Sequence, residues 1–549
     1  MTALSLATIL AEAARRYPDK VAVVDAGNRV TYSELWEQAR SYAAGLRELG
    51  IGPGDTVAVL IPNVLDFPRA YFGALAVGAT IVPVHLLLTA EEVTYVLRDS
   101  GAELLIAHSS QLALGAAAAH AADIRLVSVG PLPVGLADAP QRLEDAAAEV
   151  PPLRTYVTRQ AEDIAVVFYT SGTTGQPKGA LLTHLNLVMN ATVNVFDAND
   201  ATDSDVVLGC LPLFHTFGQT VAMNGTFRVG GTLVLLARFS GEAAIDLMVR
   251  ENATVFHGVP TMYIALLEAA AKAESGAQGV SAALPGETRR VAQGGSAALP
   301  GETRKLPNLR LCISGGASLP VAVLERFTEI FHATIFEGYG LSETSPTATT
   351  NQPAFGTRAG TIGHPIWGVE VEIARPEIEE RIEFVPPGEL GEIVIRGHNV
   401  FAGYLNRPEA TAEVLVDGWF RSGDLGHKDE LGFITIVDRK KDLVIRGGFN
   451  VYPREVEEAL ARHPAVMQVA VIGVPDAVQG EEICAVVVPD PGRVTEDELI
   501  TWAREKLGKH KYPRQVKFVD SLPMGPSHKV LKRELRKTFS GSGSLKHGR

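Results

Sequence analysis

VVFYTSGTTGQPKGALLTHL, residues 166 to 185, decides how this chain is read. An apolar, β-prone run from Ile164 to Tyr169 feeds a segment holding Thr170, Ser171, Gly172, Thr173, Thr174, Gly175, Lys178 and Gly179. Glycines let backbone N–H groups converge on an anion with no Cβ in the way, hydroxyls donate to phosphoryl oxygens, and a lysine supplies charge. The stretch therefore reads as a phosphate-binding loop. It is not a P-loop, which needs Ser or Thr directly after its lysine, because Gly179 follows Lys178. A plain surface turn would account for Gly and Pro but not for the cluster of hydroxyls beside a lysine.

At 549 residues the chain exceeds one ordinary core, so two or more domains are expected. Hydrophobic content of 46% with 21% charged residues fits a globular protein rather than a disordered one. The net charge of −13 argues against general nucleic-acid binding, which demands a basic face. Charge is uneven, however. From Arg504 to Arg549 thirteen Lys or Arg face only Glu505, Asp520 and Glu534, a local +10 that suits either an anionic ligand or a solvated tail. Cys210, Cys312 and Cys484 are far apart and lack metal-ligand spacing, so neither a disulfide framework nor a zinc site is expected, and a reducing compartment, the cytoplasm, fits. The N-terminus reads as an amphipathic helix rather than a signal peptide. Two uncharged runs, Ala70 to Ala90 and Val206 to Phe227, are long enough to cross a bilayer, but Gly78, Pro83, His85, Pro212, His215, Gln219 and Asn224 interrupt them. Buried elements of a protein that does not span a membrane are expected there.

Residues 1 to about 150 alternate helical patterns (Thr31 to Leu49, Leu65 to Val77) with short β-branched runs (Val57 to Ile61, Thr80 to Val84, Leu104 to Ala107, Ile124 to Val129). That alternation predicts an α/β scaffold around a largely parallel sheet. Farther on, Leu309 to Pro320 predicts a strand ending in Gly315, Gly316, Ala317 and Ser318 and then a helix, a place for flat or anionic ligands. SAALPGETR occurs at Ser281 to Arg289 and again at Ser296 to Arg304. Two copies are too few for a solenoid, and a duplicated surface loop is the economical reading. Gly388 to Val400 and Gly418 to Leu460 predict β structure with tight turns before a helix. Asp438-Arg439-Lys440-Lys441-Asp442, five charges between apolar runs, reads as an exposed hinge. Strands and helices after it predict a compact C-terminal domain.

Thr170 to Gly179 satisfies [ST]-[SG]-G-[ST]-T-G-x-P-K-G at every position and closely resembles the signature loop of the adenylate-forming superfamily of acyl-CoA synthetases, luciferases and peptide-synthetase adenylation domains. Four further motifs follow in the superfamily's order. The resemblance implies an α/β fold: a large N-terminal domain (1–438) of layered α/β subdomains plus a β-rich subdomain, a hinge (439–442) pivoting at Lys441, and a small mobile α+β C-terminal domain (443–549). Pro212, Phe214 and His215 match a P-x-[FY]-H segment, which implies His215 near the substrate carboxylate; taken alone, a histidine among Phe and Leu is more often structural. Phe217, Gly258, Val259, Gly315, Gly340 and Ser345 are the implied acyl wall, where small apolar residues leave room for a hydrocarbon chain.

Gly316, Ala317 and Ser318 are expected beside adenine, with Glu337, Gly338, Tyr339 and Gly340. Tyr339 offers a ring for stacking, and Glu343 of the Tyr339–Glu343 motif offers a hard oxygen for magnesium. Thr344 is expected near the α-phosphate. Asp424 suits the two ribose hydroxyls, and Ile436 and Arg439 complete the nucleotide site; without the resemblance, Asp424 and Arg439 read as a turn residue and an ion pair. Lys529 fits the lysine of P-x-[ST]-x-x-G-K-[IVL]-x-[RK], although Gly525 replaces its hydroxyl residue and His528 its glycine. Gly447, Gly448 and Phe449 are the implied coenzyme A loop.

These assignments describe an acid–thiol ligase using ATP, Mg2+ and coenzyme A. The acid's carboxylate attacks ATP to give acyl-AMP, Lys529 then swings away with the small domain, and a thiol takes the acyl group. The expected acid is a fatty acid of medium to long chain. A bulky or aromatic acid, a carrier-protein thiol in place of coenzyme A, and a non-catalytic acyl-adenylate-binding protein are the alternatives. A monomer or homodimer is expected.

Overall fold

The computed structural model describes residues 3–132, 139–170, 176–280, 306–490, 492–525 and 530–540, without the side chains of 273–280. The chain divides into two compact units, Met1–Gly315 with Val323–Phe336, and Gly316–Ala322 with Glu337–Arg549.

The first unit is built on two sheets. In one, Ile164–Thr170, Thr80–Pro83, Thr56–Leu60, Leu104–His108 and Arg125–Val129 lie side by side and parallel, and Lys178–Thr183 pairs antiparallel with Ile164–Thr170. In the other, Leu311–Ser314, Val255–Gly258, Val206–Gly209, Thr232–Leu235 and Val21–Asp25 are parallel, and Asn28–Thr31 turns back along the last. Strands such as Thr80–Pro83 and Leu311–Ser314 are buried at every position. Parallel strands covered on both faces read as continuous apolar runs for this reason.

Helix ends follow local chemistry. Tyr32–Glu48 starts in a capping box, in which the Thr31 hydroxyl accepts from the Glu34 amide and the Glu34 carboxylate from the Thr31 amide; its Leu35, Ala39, Tyr42 and Leu46 turn inward. The uncharged run at Ala70 to Ala90 is the end of the buried helix Asp66–Val77, stopped at Gly78 (φ 90°), and then the strand Thr80–Pro83. No described helix is long and apolar enough to cross a membrane. All three cysteines are buried free thiols.

In the second unit an antiparallel sheet orders Val369–Ala374, Gly391–Gly397, Trp419–Lys428 and Leu415–Val416, with Ile434–Arg439 also paired to Trp419–Lys428. After it, Val466–Asp476 and Gly480–Pro489 form a long antiparallel pair with Gln515–Phe518 alongside, and the helices Pro453–Ala461, Glu496–Lys506 and Lys532–Ser540 complete this α+β part.

The 166–185 stretch lies across two antiparallel strands, Ile164–Thr170 and Lys178–Thr183. As expected, the strand Leu311–Ser314 leads into the Gly315 to Ser318 segment and a helix follows; it begins at Val321, beyond Pro320, which leaves the glycines in an open turn. The run 208–220 becomes a strand, a loop and the wide π-helical turn Phe217–Asn224, which no periodicity announced. The repeated SAALPGETR lies outside the described residues.

Within the antiparallel sheet Arg421 and Glu392 form an ion pair of 2.6 Å with both side chains at 5% exposure or less. Arg421 also donates to the carbonyls of Ile378 and Arg381, and the other Glu392 oxygen accepts from the Gly423 amide at 3.0 Å. Removing one member of such a buried pair strands the other, at about 3–5 kcal/mol. Calorimetry of Arg421→Met should therefore show a much lowered melting transition, and adding Glu392→Gln should recover part of it; an unchanged transition in Arg421→Met would show that the pair contributes nothing.

Candidate active site

In the first unit, Thr170 ends one strand and Lys178 begins the next, and the Thr170 hydroxyl lies 3.5 Å from the Lys178 carbonyl. The backbone pairing thus brings Thr170 and Lys178, the ends of the stretch expected to bind phosphate, together. Ser171, Gly172, Thr173, Thr174 and Gly175 lie outside the described residues.

His215 stands half-buried at the mouth of the π-helical turn, and its Nδ1 accepts from the Phe217 amide at 3.2 Å. The loop before it is held by Asn63, whose side-chain amide donates to the carbonyls of Gly209 (3.2 Å) and Leu211 (2.7 Å) and accepts from the Leu213 amide (3.0 Å). Asn63 is 150 residues from Leu213 in sequence, and no motif marked it. A Cβ at Gly218 would overlap the Pro212 carbonyl, so glycine is required for the turn to close. Gly258 ends the strand beside Leu311–Ser314 and Val259 follows it, and the Gly315 amide donates to the Gly258 carbonyl at 3.2 Å. Gly258 was expected to leave space for a chain. A Cβ there would instead press on the rings of Phe256 (2.8 Å) and Tyr263 (3.2 Å), so on that side its smallness serves aromatic packing.

In the second unit, Asp424 and Arg439 face each other across two antiparallel strands. Asp424 is 4% exposed; one of its oxygens meets Arg439 Nε at 3.1 Å and the other accepts from the Tyr339 hydroxyl at 2.7 Å. Burial pushes the Tyr339 phenol well above its ordinary range, so it stays a neutral donor. Glu343, 8% exposed, accepts from the Tyr404 hydroxyl at 2.9 Å and takes the Phe401 amide on its carbonyl at 2.9 Å. Tyr404 was not foreseen, since nothing local distinguishes it.

Thr344, expected at the α-phosphate, is fully buried, and its hydroxyl is engaged by the Leu341 amide and the Pro346 carbonyl. It shapes the turn. Ser345 holds a left-handed φ of 70° and donates to the Asn399 carbonyl at 2.8 Å, a strained conformation of the kind that surroundings must enforce. At Gly340 a Cβ would overlap the Pro346 carbonyl, so its lack of a side chain is needed for the same turn.

Gly316 (φ 81°) lies in the open turn, with Ala317 and Ser318 exposed. Gly338 is half-buried between Glu337 and Tyr339. Along the hinge, the Ile436 carbonyl accepts from the Arg454 guanidinium at 2.6 Å, Asp438 accepts the Arg454 amide at 2.9 Å, Lys441 is exposed, and Asp442 pairs with Arg536 at 2.9 Å. Gly447 (φ 56°) and Gly448 (φ 82°) form a two-residue hairpin turn that only glycines enter without strain, and it presents Phe449, 60% exposed, toward His510 with ring centres 5.2 Å apart. Lys529 lies outside the described residues; beyond it, Lys532 pairs with Glu457 at 2.7 Å.

Glu337 is 6% exposed, and burial pushes its carboxyl up to about 7, against the opposing pull of the Gly360 amide 3.0 Å away and of Arg454. A carboxyl whose folded value lies above its unfolded one, near 4.3, favours folding most below pH 4.3, loses that contribution as pH rises toward 7, and does not regain it above. Glu337→Gln should accordingly be more stable than the parent at pH 8, with the gap closing below pH 5 in denaturant titrations. Parallel pH profiles would refute the shift.

Comparison with known proteins extends these observations. The family model described as AMP-binding enzyme matches residues 10–405, and that of the AMP-binding enzyme C-terminal domain matches 455–529. A feruloyl-CoA synthase of Amycolatopsis sp is 38% identical over 528 residues, covering 96% of this chain and 97% of its own length. A long-chain-fatty-acid–CoA ligase of Bacillus subtilis (strain 168) is 34% identical over 559 residues, covering 97% and 94%. Among solved structures, ATP-bound MatB from Rhodopseudomonas palustris superposes with a TM-score of 0.84 at 34% identity, covering 97% of this chain and 99% of the other. The anthranilate CoA ligase AuaEII in complex with anthranoyl-AMP superposes with 0.87 at 25% identity, covering 99% and 98%.

Proposed function

We propose, for a chain that belongs to the AMP-binding enzyme family and is an AMP-forming acid–thiol ligase, that it joins a fatty acid of medium to long chain to coenzyme A. One observation carries the class of acid: Phe217, Gly258, Val259 and Gly315, the four residues of the assigned acyl wall that lie in the first unit, are uncharged and buried. A dicarboxylate would call for a fixed cation there. The long-chain ligase relative supports a hydrocarbon tail. The feruloyl-CoA synthase relative, at the higher identity of the two, favours an aromatic acid as the second reading.

In the first step a carboxylate oxygen attacks the α-phosphorus of ATP, an O–P bond forms, and pyrophosphate leaves. Two anions must approach, and we assign the opposing charge and donors to the phosphate loop, Lys178 and Lys529. Asp424 accepts the ribose hydroxyls once Arg439 and Tyr339 share or yield its oxygens. A buried carboxylate at Glu343, presenting hard oxygens, fits a magnesium ion. When bound there, magnesium would neutralise phosphate charge. In the second step the thiol sulfur attacks the acyl carbon, the thiol proton departs, and AMP leaves. Lys529 must vacate the path of the thiol, which is the physical reason for a hinge at Lys441 and for a coenzyme A loop at Gly447, Gly448 and Phe449.

Removing one preorganised donor of this kind typically costs ~3–4 kcal/mol, or roughly 10²- to 10³-fold in rate. ATP–pyrophosphate exchange should thus fall by that factor in Lys529→Ala, while thioester formation from supplied acyl-AMP persists. Wild-type exchange in the variant would remove Lys529 from its role. Run across short, long, branched and aromatic acids, the same assay decides the acid: highest kcat/KM with decanoate or longer supports the fatty-acid reading, and highest kcat/KM with cinnamates replaces it by the aromatic one.

A further inference from the structure

Behind the acyl wall, on the sheet face that carries Val255 and His257, lies a cavity of about 20 Å³ closed on its other side by Val221 and Thr226 of the 217–229 helical segment. His257 immediately precedes Gly258 and Val259, and its ring lies 6.2 Å, centre to centre, from that of Phe217. Val221 follows Phe217 by about one turn of this π-helical segment. A tail laid between Phe217 and the strand end therefore points at this cavity.

The polarity of the cavity is uneven. Most of its lining is apolar, and Asp205, which also borders it, is satisfied by Arg310 and by the hydroxyl of Thr254. The Thr226 hydroxyl is turned back onto the Ala222 carbonyl at 2.5 Å. Two atoms are left over: His257 Nδ1 and Asn199 Oδ1 are buried and have no hydrogen-bond partner, on side chains that are each 5% exposed. Burial pulls the His257 imidazole down to about 4, so it is neutral at physiological pH and carries one donor and one acceptor nitrogen. A space of this size admits one oxygen and no more. A purely hydrocarbon tail end pushed against it would leave both polar atoms desolvated and unpaired, which is the costly outcome.

We propose that this cavity is the terminal subsite of the acyl pocket and selects acids carrying a hydroxyl at the distal end of the tail, which donates to Asn199 Oδ1 and pairs with His257 Nδ1. His257 and Asn199 are then specificity-determining residues. The inference rests on the reading above that the tail runs past Phe217 toward Val259, and it applies to an aryl or an alkyl acid alike.

The test is ATP–pyrophosphate exchange by the full-length enzyme with two matched pairs, para-hydroxycinnamic against cinnamic acid and ω-hydroxydecanoic against decanoic acid. Because each ratio is measured on one preparation, a partly unfolded variant does not distort it. The wild type should prefer the hydroxylated member of the pair it accepts by roughly 10- to 100-fold in kcat/KM, and His257→Phe, which keeps a ring beside Phe217, should bring the ratio to within about threefold of unity. A wild-type ratio near unity, or one unchanged in His257→Phe, overturns the subsite and leaves an ordered water as the occupant. Val221→Trp separates the two levels. If it raises KM for all accepted acids, the tail does run here, and the His257 result alone judges the hydroxyl; if it leaves every KM unchanged, the placement of the tail fails and the subsite with it.

Discussion

A carboxylate and a phosphate repel each other, and an adenylating ligase must make them touch. Much of the polar structure in both units answers that constraint, because a charge placed near two anions is useful only where it is held in position beforehand. In the second unit the restraint is a chain of buried contacts: Arg421 holds Glu392, Glu392 holds the Gly423 amide, and the next residue is Asp424, gripped in turn by Tyr339 and Arg439. Asp424 is therefore held in one orientation by the fold itself, and the cost of orienting it lies in folding.

The first unit shows the same economy by other means. Asn63 closes the loop that carries His215 with three hydrogen bonds, and Gly218 allows the backbone to fold tightly onto Pro212. A π-helical turn follows, a wide turn of a kind often found at functional sites. Around it the described side chains are buried, the polar Thr216, Gln219, Thr220, Asn224 and Thr226 among them. A few polar atoms left without partners there therefore carry more information than any of the surface charges.

The 438–442 segment, expected from the sequence to act as a hinge, combines exposure with anchorage. Lys441 is solvent-exposed, while the residues around it are tied on both sides, Asp438 to Arg454 and Asp442 to Arg536. Each of these contacts joins the pivot to a helix that follows it, so rotation about Lys441 would require some of them to break and others to form.

Much of this was written locally. The capping boxes at Thr31 and Thr495, the all-apolar parallel strands, the glycine–hydroxyl stretch at 166–185 and the Gly447–Gly448 turn depend on neighbours a few residues away, so residue order alone determined them. Family order likewise made the Tyr339–Glu343 and Asp424 motifs legible. What only the tertiary structure decided are the long-range pairings: Asn63 with the His215 loop, Tyr404 with Glu343, the confinement of Thr344 and Gly340 to a turn, and the meeting of Asn199 with His257 around one small cavity. The physical reason is that a buried hydrogen bond needs a partner in space, not in sequence, and Asn63 and Leu213, 150 residues apart, have no spacing that could announce theirs.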